Sequence, residues 1–238
     1  MDYPPENSTQ RAPALSPWTA IDVAWALVFF VGWMATIVLL GELCKLAGLP
    51  LDPSIVVIFG TALLLLPVWY FALHKYRASL ADLGLRQFQP AAVGLGCGLM
   101  LASLLFNVVY SALLAVFDLS MQPDIAIMFD STQFPLVLVL GGALVAPVVE
   151  EVFFRGFVFT GLQHRWGWKA AAVVSSGLFA MAHVVPTSII PIFILGLIFA
   201  YLYKISGSIW PAILMHMLTN TLALSAAYAV SQGFVPTP

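Results

Sequence analysis

Three short stretches of this 238-residue chain hold side chains able to do chemistry where charge is otherwise avoided: EEVFFRG (150–156), FAMAH (179–183) and HMLTN (216–220). Each lies in an apolar run, and a charge near the centre of a bilayer costs at least about 2.5–3.5 kcal/mol. A retained Glu, Arg or His there is therefore a candidate for function. Four-residue spacing stacks Glu151 over Arg155 and His216 over Asn220 on single helix faces. Glu150 projects about 100° away from Glu151, so the two carboxylates are not expected to share a partner. Several chemistries are open to such a set. Two histidines with one or two glutamates suit zinc, and buried Glu and His also form the proton relays of transporters. The blandest reading is a self-neutralising Glu151–Arg155 pair, with His183, His216 and Asn220 as hydrogen-bonding glue between helices.

The elements that must position these residues follow from composition. The chain is 61% hydrophobic and 8% charged, about a third of the charge of an ordinary soluble domain. Its mean hydropathy is +0.99. This is an all-α polytopic membrane protein in prospect. Runs approaching the roughly 20 apolar residues of a spanning helix occur at 20–41, 54–73, 91–117, 135–162, 168–185, 187–203 and 208–230. We therefore expect about seven transmembrane helices, two leading ones within 18–77 and a core over 78–230. The polar, proline-rich residues 1–17 are expected to form a disordered lead, and 231–238 a short tail. The net charge of −2, with no basic cluster denser than HKYR (74–77), gives no sign of a nucleic-acid partner.

Basic residues set the orientation. Arg11, Lys75, Arg77, Arg86, Arg165, Lys169 and Lys204 fall on the N-terminal side and Lys45 alone on the other. That asymmetry predicts a cytoplasmic N-terminus and an outer C-terminus. Trp18, Trp69, Trp166, Trp168 and Trp210 lie near predicted ends, as in an aromatic belt. The strip at 74–90 could form a short amphipathic surface helix. Asp22 is expected to snorkel, Asn107 to be a satisfied core polar group, and Gly94, Gly96 and Gly98 to mark close helix packing. Cys44 and Cys97 read as small core hydrophobes, and His74 and His164 as interfacial residues without chemistry.

Depth tests whether the polar residues can meet. Counted at 1.5 Å per residue from the cytoplasmic helix ends, Glu150, His183 and Asn220 lie roughly 20–22 Å deep and His216 roughly 14 Å. These values describe one layer. Scattered structural residues have no reason to agree in depth across three helices.

The three stretches resemble the E-E-x-x-x-R, F-x-x-x-H and H-x-x-x-N signatures of the CPBP intramembrane proteases. That family, of CAAX proteases and bacteriocin-processing proteins, includes the type II CAAX prenyl endopeptidases. The flanking ADLGLR and LGLIFAYLYKISGSIWPAILMHMLTN are similar as well, and the resemblance covers roughly residues 78–225. It implies an intramembrane endopeptidase. Glu150 would activate water, His183 would orient the water or share its proton, and His216 with Asn220 would donate to the oxyanion. Glu151, Arg155 and Phe179 would support them. No cofactor is implied. A zinc-dependent version is the chemical alternative, although H-E-x-x-H is missing and Asn220 is a poor zinc ligand. A non-catalytic scaffold or sensor with the same fold is the alternative outside enzymes. The expected partners are the lipid bilayer and a membrane-associated protein or peptide substrate, in a cell membrane expected to be prokaryotic.

Overall fold

A computed structural model of the protein describes residues 16–120 and 125–234, all of it helix, turn and loop. Residues 1–15 of the expected lead and 235–238 of the tail lie outside this range. Seven helices follow in order: α1 (Ala20–Leu46), α2 (Pro53–Lys75), α3 (Ala91–Ala115), the short α4 (Ile125–Ser131), α5 (Pro135–Ala182), α6 (Pro186–Ser206) and α7 (Trp210–Ser231). All but α4 are long and apolar enough to cross a membrane. At 48 residues α5 would extend about 72 Å if continuous, more than twice the hydrocarbon thickness. It is divided at Gly167, whose φ of 76° and ψ of 159° are non-helical. Only glycine adopts that conformation readily, and a side chain there would cost about 1–3 kcal/mol. The arms before and after Gly167 are the fourth and fifth of the seven expected spans. They fold against each other, with Ser175 Oγ donating to the Phe154 carbonyl at 2.7 Å.

Local chemistry explains the helix ends. Thr19 and Asp22 form a reciprocal capping box at the start of α1. Asp22 does not snorkel: it is buried, salt-bridged to Lys75 of α2 and hydrogen-bonded by the Tyr76 hydroxyl at 2.9 Å. This corrects the sequence expectation, because the partners arrive from the far end of the next helix. Asp52 caps α2 and also accepts from Thr132 Oγ1 and the Gln133 amide, fastening the start of α2 to the approach to α5. Burial alone would raise its pKa. The bonds from Ser54, Gln133 and Thr132 outweigh burial and lower it to about 2.

Several further expectations need correction. Trp18 is not in an interfacial belt: it is 2% exposed, stacks on Phe157 and donates to the Phe157 carbonyl at 2.9 Å. Ser16, placed in the disordered lead, is buried and donates to the Thr160 carbonyl. The strip at 76–90 forms turns in place of an amphipathic helix, clasped to the α6–α7 turn by Ile209 N–H to Gly84 O and Ser208 Oγ to Arg86 O. Of the three α3 glycines only Gly96 meets a neighbour, Met215; a Cβ at Gly94 or Gly98 would touch nothing within 4 Å. Asn107 Oδ1 is buried without a hydrogen-bond partner among the described residues. Cys97 is exposed and Cys44 half-buried, so neither is a core residue. The core itself is aromatic and centres on the first arm of α5, where Phe153, Phe154, Phe157 and Phe159 are all buried.

Candidate active site

EEVFFRG sits where α5 leaves regular α geometry. Gly141–Val145 and Val152–Phe159 are π-helical on either side of the two glutamates. Widened turns of this kind recur at functional sites. They turn side chains and release carbonyls from the i→i+4 ladder. The Arg155 carbonyl accepts from Thr160 Oγ1 at 3.0 Å, and the Gly142 carbonyl accepts from Asn220 Nδ2 at 2.9 Å. Gly156 closes the stretch because the 76–90 strip crosses it: a Cβ there would lie 2.7 Å from the Leu83 carbonyl oxygen.

Glu151 is fully buried and holds the centre. Its Oε1 accepts from Arg155 Nη1 at 3.0 Å, both side chains being 0% exposed, and also from His216 Nδ1 at 2.9 Å. Arg155 in turn donates through Nη2 to the Gly196 carbonyl of α6 at 3.0 Å. Its guanidinium lies over the rings of Phe179 (4.4 Å) and Phe199 (5.4 Å), where cation–π attraction compensates lost hydration. Gly196 is required there, since a Cβ would stand 2.9 Å from Ser176 Cβ and 3.1 Å from both Ser176 Cα and Arg155 Nη2. The expected ion pair is thus a network of α5, α6 and α7.

The two carboxylates do share a partner, contrary to the expectation from helix geometry. His216 Nε2 lies 3.7 Å from Glu150 Oε2 while Nδ1 of the same ring holds Glu151. An imidazole presents nitrogens on two edges, so residues 100° apart on one helix can meet one ring. His216 is 2% exposed, stacked on Phe199 at 5.0 Å and edge-on to Phe179 at 5.5 Å. Phe179 also packs edge to face on His183 at 4.9 Å, which makes it the common neighbour of Arg155, His183 and His216. Glu150, with a side chain 18% exposed, and His183 line one cavity of about 220 Å³. His183 Nδ1 lies 2.9 Å from the Phe179 carbonyl oxygen, which can only accept; Nδ1 therefore carries hydrogen, and neutral His183 offers the Nε2 lone pair.

Glu150, Glu151, Arg155, Phe179, His183 and His216 all converge, and Asn220 reaches the same stretch through Gly142. Gly142, Gly196 and Phe199 were not picked out from the sequence. No local pattern marks them, because each matters through contact with another helix. Among the described residues, no three His, Cys, Asp or Glu side chains are grouped to hold a metal ion. His216, the natural first ligand, has Nδ1 committed to Glu151 and Nε2 facing Glu150.

Part of the chain is similar to known proteins. Residues 132–222, which include all seven candidate residues, match the family model of the type II CAAX prenyl endopeptidase Rce1-like proteins. The Bacillus subtilis (strain 168) protein named "Putative membrane peptidase YdiL" is 27% identical over 95 residues. That match covers 40% of this chain and 39% of the relative, so the chain spans about two fifths of the relative's length. No solved structure matches the chain.

Proposed function

We propose that this chain, an integral membrane protein whose residues 132–222 are similar to the Rce1-like type II CAAX prenyl endopeptidases, is an intramembrane endopeptidase. The observation that carries this reading is the cavity shared by Glu150 and His183, one wall of which is braced by the Arg155–Glu151–His216 network. Water held between the Glu150 carboxylate and His183 Nε2 attacks the scissile carbonyl carbon while Glu150 takes its proton. The resulting oxyanion receives hydrogen bonds from His216 and Asn220. Collapse breaks the C–N bond, and the proton on Glu150 passes to the leaving amine. With Nδ1–H given to Glu151, only the protonated form of His216 has a second hydrogen to donate. Asn220 gives one amide hydrogen to Gly142 and keeps the other for the oxyanion.

The reading is metal-free, supported by a His216 whose Nδ1 is already held by Glu151 Oε1 at 2.9 Å. Its test is cleavage of membrane-embedded peptides by the purified protein in lipid vesicles, with and without a strong chelator. We expect cleavage that survives chelation. His216→Ala and Asn220→Ala should each cut turnover by roughly 10²- to 10³-fold with affinity little changed. Activity lost to chelator and restored by zinc, or stoichiometric zinc that only His216→Ala releases, overturns the mechanism.

Orientation belongs to the same proposal: the N-terminus, the 74–90 strip and the turns at Gly167 and Gly207 face the cytoplasm, supported by seven basic residues against one. A single cysteine placed at position 2 should be shielded from an impermeant thiol reagent in intact cells, and one at position 237 labelled. The reverse pattern rejects this topology.

A further inference from the structure

The cavity that holds Glu150 and His183 is walled by helices outside the segment that matches the family. Phe30, Met34 and Ile37 line it from α1, and Val56, Gly60 and Leu64 from α2. Spacings of four and three residues put the α1 trio on one helix face, and Val56 and Gly60, four apart, share a face of α2 just before its turn at Leu64. Apart from Thr61, Glu150 and His183, the lining side chains are apolar. A solute there meets a catalytic pair at one wall and apolar surface elsewhere. At about 220 Å³ the space is somewhat larger than the roughly 150 Å³ apolar cavity known to accept a benzene-sized molecule. One large side chain fits; a long lipid chain would have to trail outside.

Gly60 is the lining position without a side chain. A Cβ built on it would stand 3.1 Å from Ile37 Cδ1 on the facing helix, so α1 and α2 are packed together at this wall. A larger residue there would press on Ile37 and project into the cavity beside it. The backbone at Gly60 is also fixed in place. α2 breaks at Leu63 and Leu64, the turn that precedes the helical Pro67. The Leu64 amide bonds to the Thr61 carbonyl, and the Gly60 carbonyl accepts from Trp33 Nε1 of α1 at 2.9 Å. That indole bond clasps α1 to α2 beside the cavity and holds its width.

We propose that Gly60, with Ile37 opposite, is the specificity-determining element of the site, sized to admit one large apolar side chain of the substrate residue bordering the scissile bond. This rests on the protease reading above. The test measures kcat/KM for wild type and variants in lipid vesicles. The peptide series differs only at that residue, from Ala through Val and Leu to Phe, and each peptide is also made with a longer or shorter acyl chain attached. Wild type is expected to prefer Leu and Phe to Ala. Gly60→Leu should lower the Phe-to-Ala ratio by roughly 10- to 200-fold, the range that a methylene-scale misfit produces in an apolar pocket. Ile37→Ala, which enlarges the space, should raise the ratio and decides the matter if Gly60→Leu does not fold. Leu39→Ala, on the exposed face of α1, should leave it alone. Ratios that stay fixed in Ile37→Ala while cleavage continues overturn the assignment and leave the protease standing. Dependence on acyl length in place of the side chain overturns it too, by giving the cavity to lipid. A wild type that cleaves no peptide of the series, in either acyl form, removes the protease reading and this inference together.

Discussion

Replacing Glu150 with glutamine is expected to lower turnover by roughly 10²- to 10⁴-fold, the contribution of a positioned general base, while the protein stays folded. The amide keeps the size of the carboxylate, but it cannot take a proton from water. The fold should tolerate the change because Glu150 is peripheral to the bracing network. Its nearest charged contact, His216 Nε2, is 3.7 Å away, whereas Arg155, Glu151 and the Gly196 carbonyl are linked without it. Thermal melting in detergent should therefore coincide with wild type. Substrate should still bind, since the apolar lining of the cavity is untouched. Turnover by Glu150→Gln within a few-fold of wild type would strip Glu150 of its role. A collapse in melting temperature would show that its charge serves the fold.

Rise per residue alone brings Glu150, His183 and His216 to one region, because helices of known length crossing a slab of known thickness leave little freedom along their axes. Azimuth was harder to read. A helical wheel places Glu150 and Glu151 on different faces, correctly, yet treats their partner as a point. The imidazole of His216 is a plate with a nitrogen on each side, and it reaches both. Asn220 illustrates a second limit. Its partner is the Gly142 carbonyl, available because the helix widens at Gly141–Val145, and nothing in PLVLVLGGALVAP states where an i→i+5 turn will fall.

The misread residues share one physical cause. Trp18, Asp22 and the strip at 74–90 were all judged by proximity to a membrane interface, where Trp, Asp and mixed polar sequence ordinarily face headgroups and water. Each is instead engaged by a distant segment: Trp18 by Phe157, Asp22 by Lys75 and Tyr76, the strip by the α6–α7 turn. One-dimensional hydropathy records the environment a residue would have alone on its helix, not the neighbour that replaces it. Gly60 was silent for a related reason. A glycine inside an apolar run is compatible with ordinary packing, and only its position on the cavity wall, opposite Ile37, gives it a consequence.

Removing Arg155 is expected to damage the protein more broadly than removing the base. In Arg155→Ala the Glu151 carboxylate keeps the hydrogen bond from His216 but loses its full countercharge in a site with no solvent exposure. Breaking one half of a buried pair costs about 3–5 kcal/mol, most of it the burden of the orphaned charge. The loss extends across the site. Phe179 and Phe199 lose the guanidinium packed on their rings, the Gly196 carbonyl loses its donor, and His216 stays tied to a carboxylate free to shift. Lower membrane abundance, a lower Tm and reduced turnover should appear together. Arg155→Lys should recover little, since an ammonium cannot hold Glu151 and Gly196 in one rigid fork while lying flat on two rings. The diagnostic variant is Arg155→Ala combined with Glu151→Gln. Neutralising the orphan should restore much of the stability, because a neutral amide is far less costly to bury and can still accept from His216 Nδ1. Turnover should recover less, since the guanidinium that packs Phe179 and Phe199 and holds the Gly196 carbonyl is still missing. Abundance and Tm unchanged in Arg155→Ala would refute the buried network as the brace of the site, and full recovery of turnover in the double variant would refute the part assigned to the Arg155 contacts.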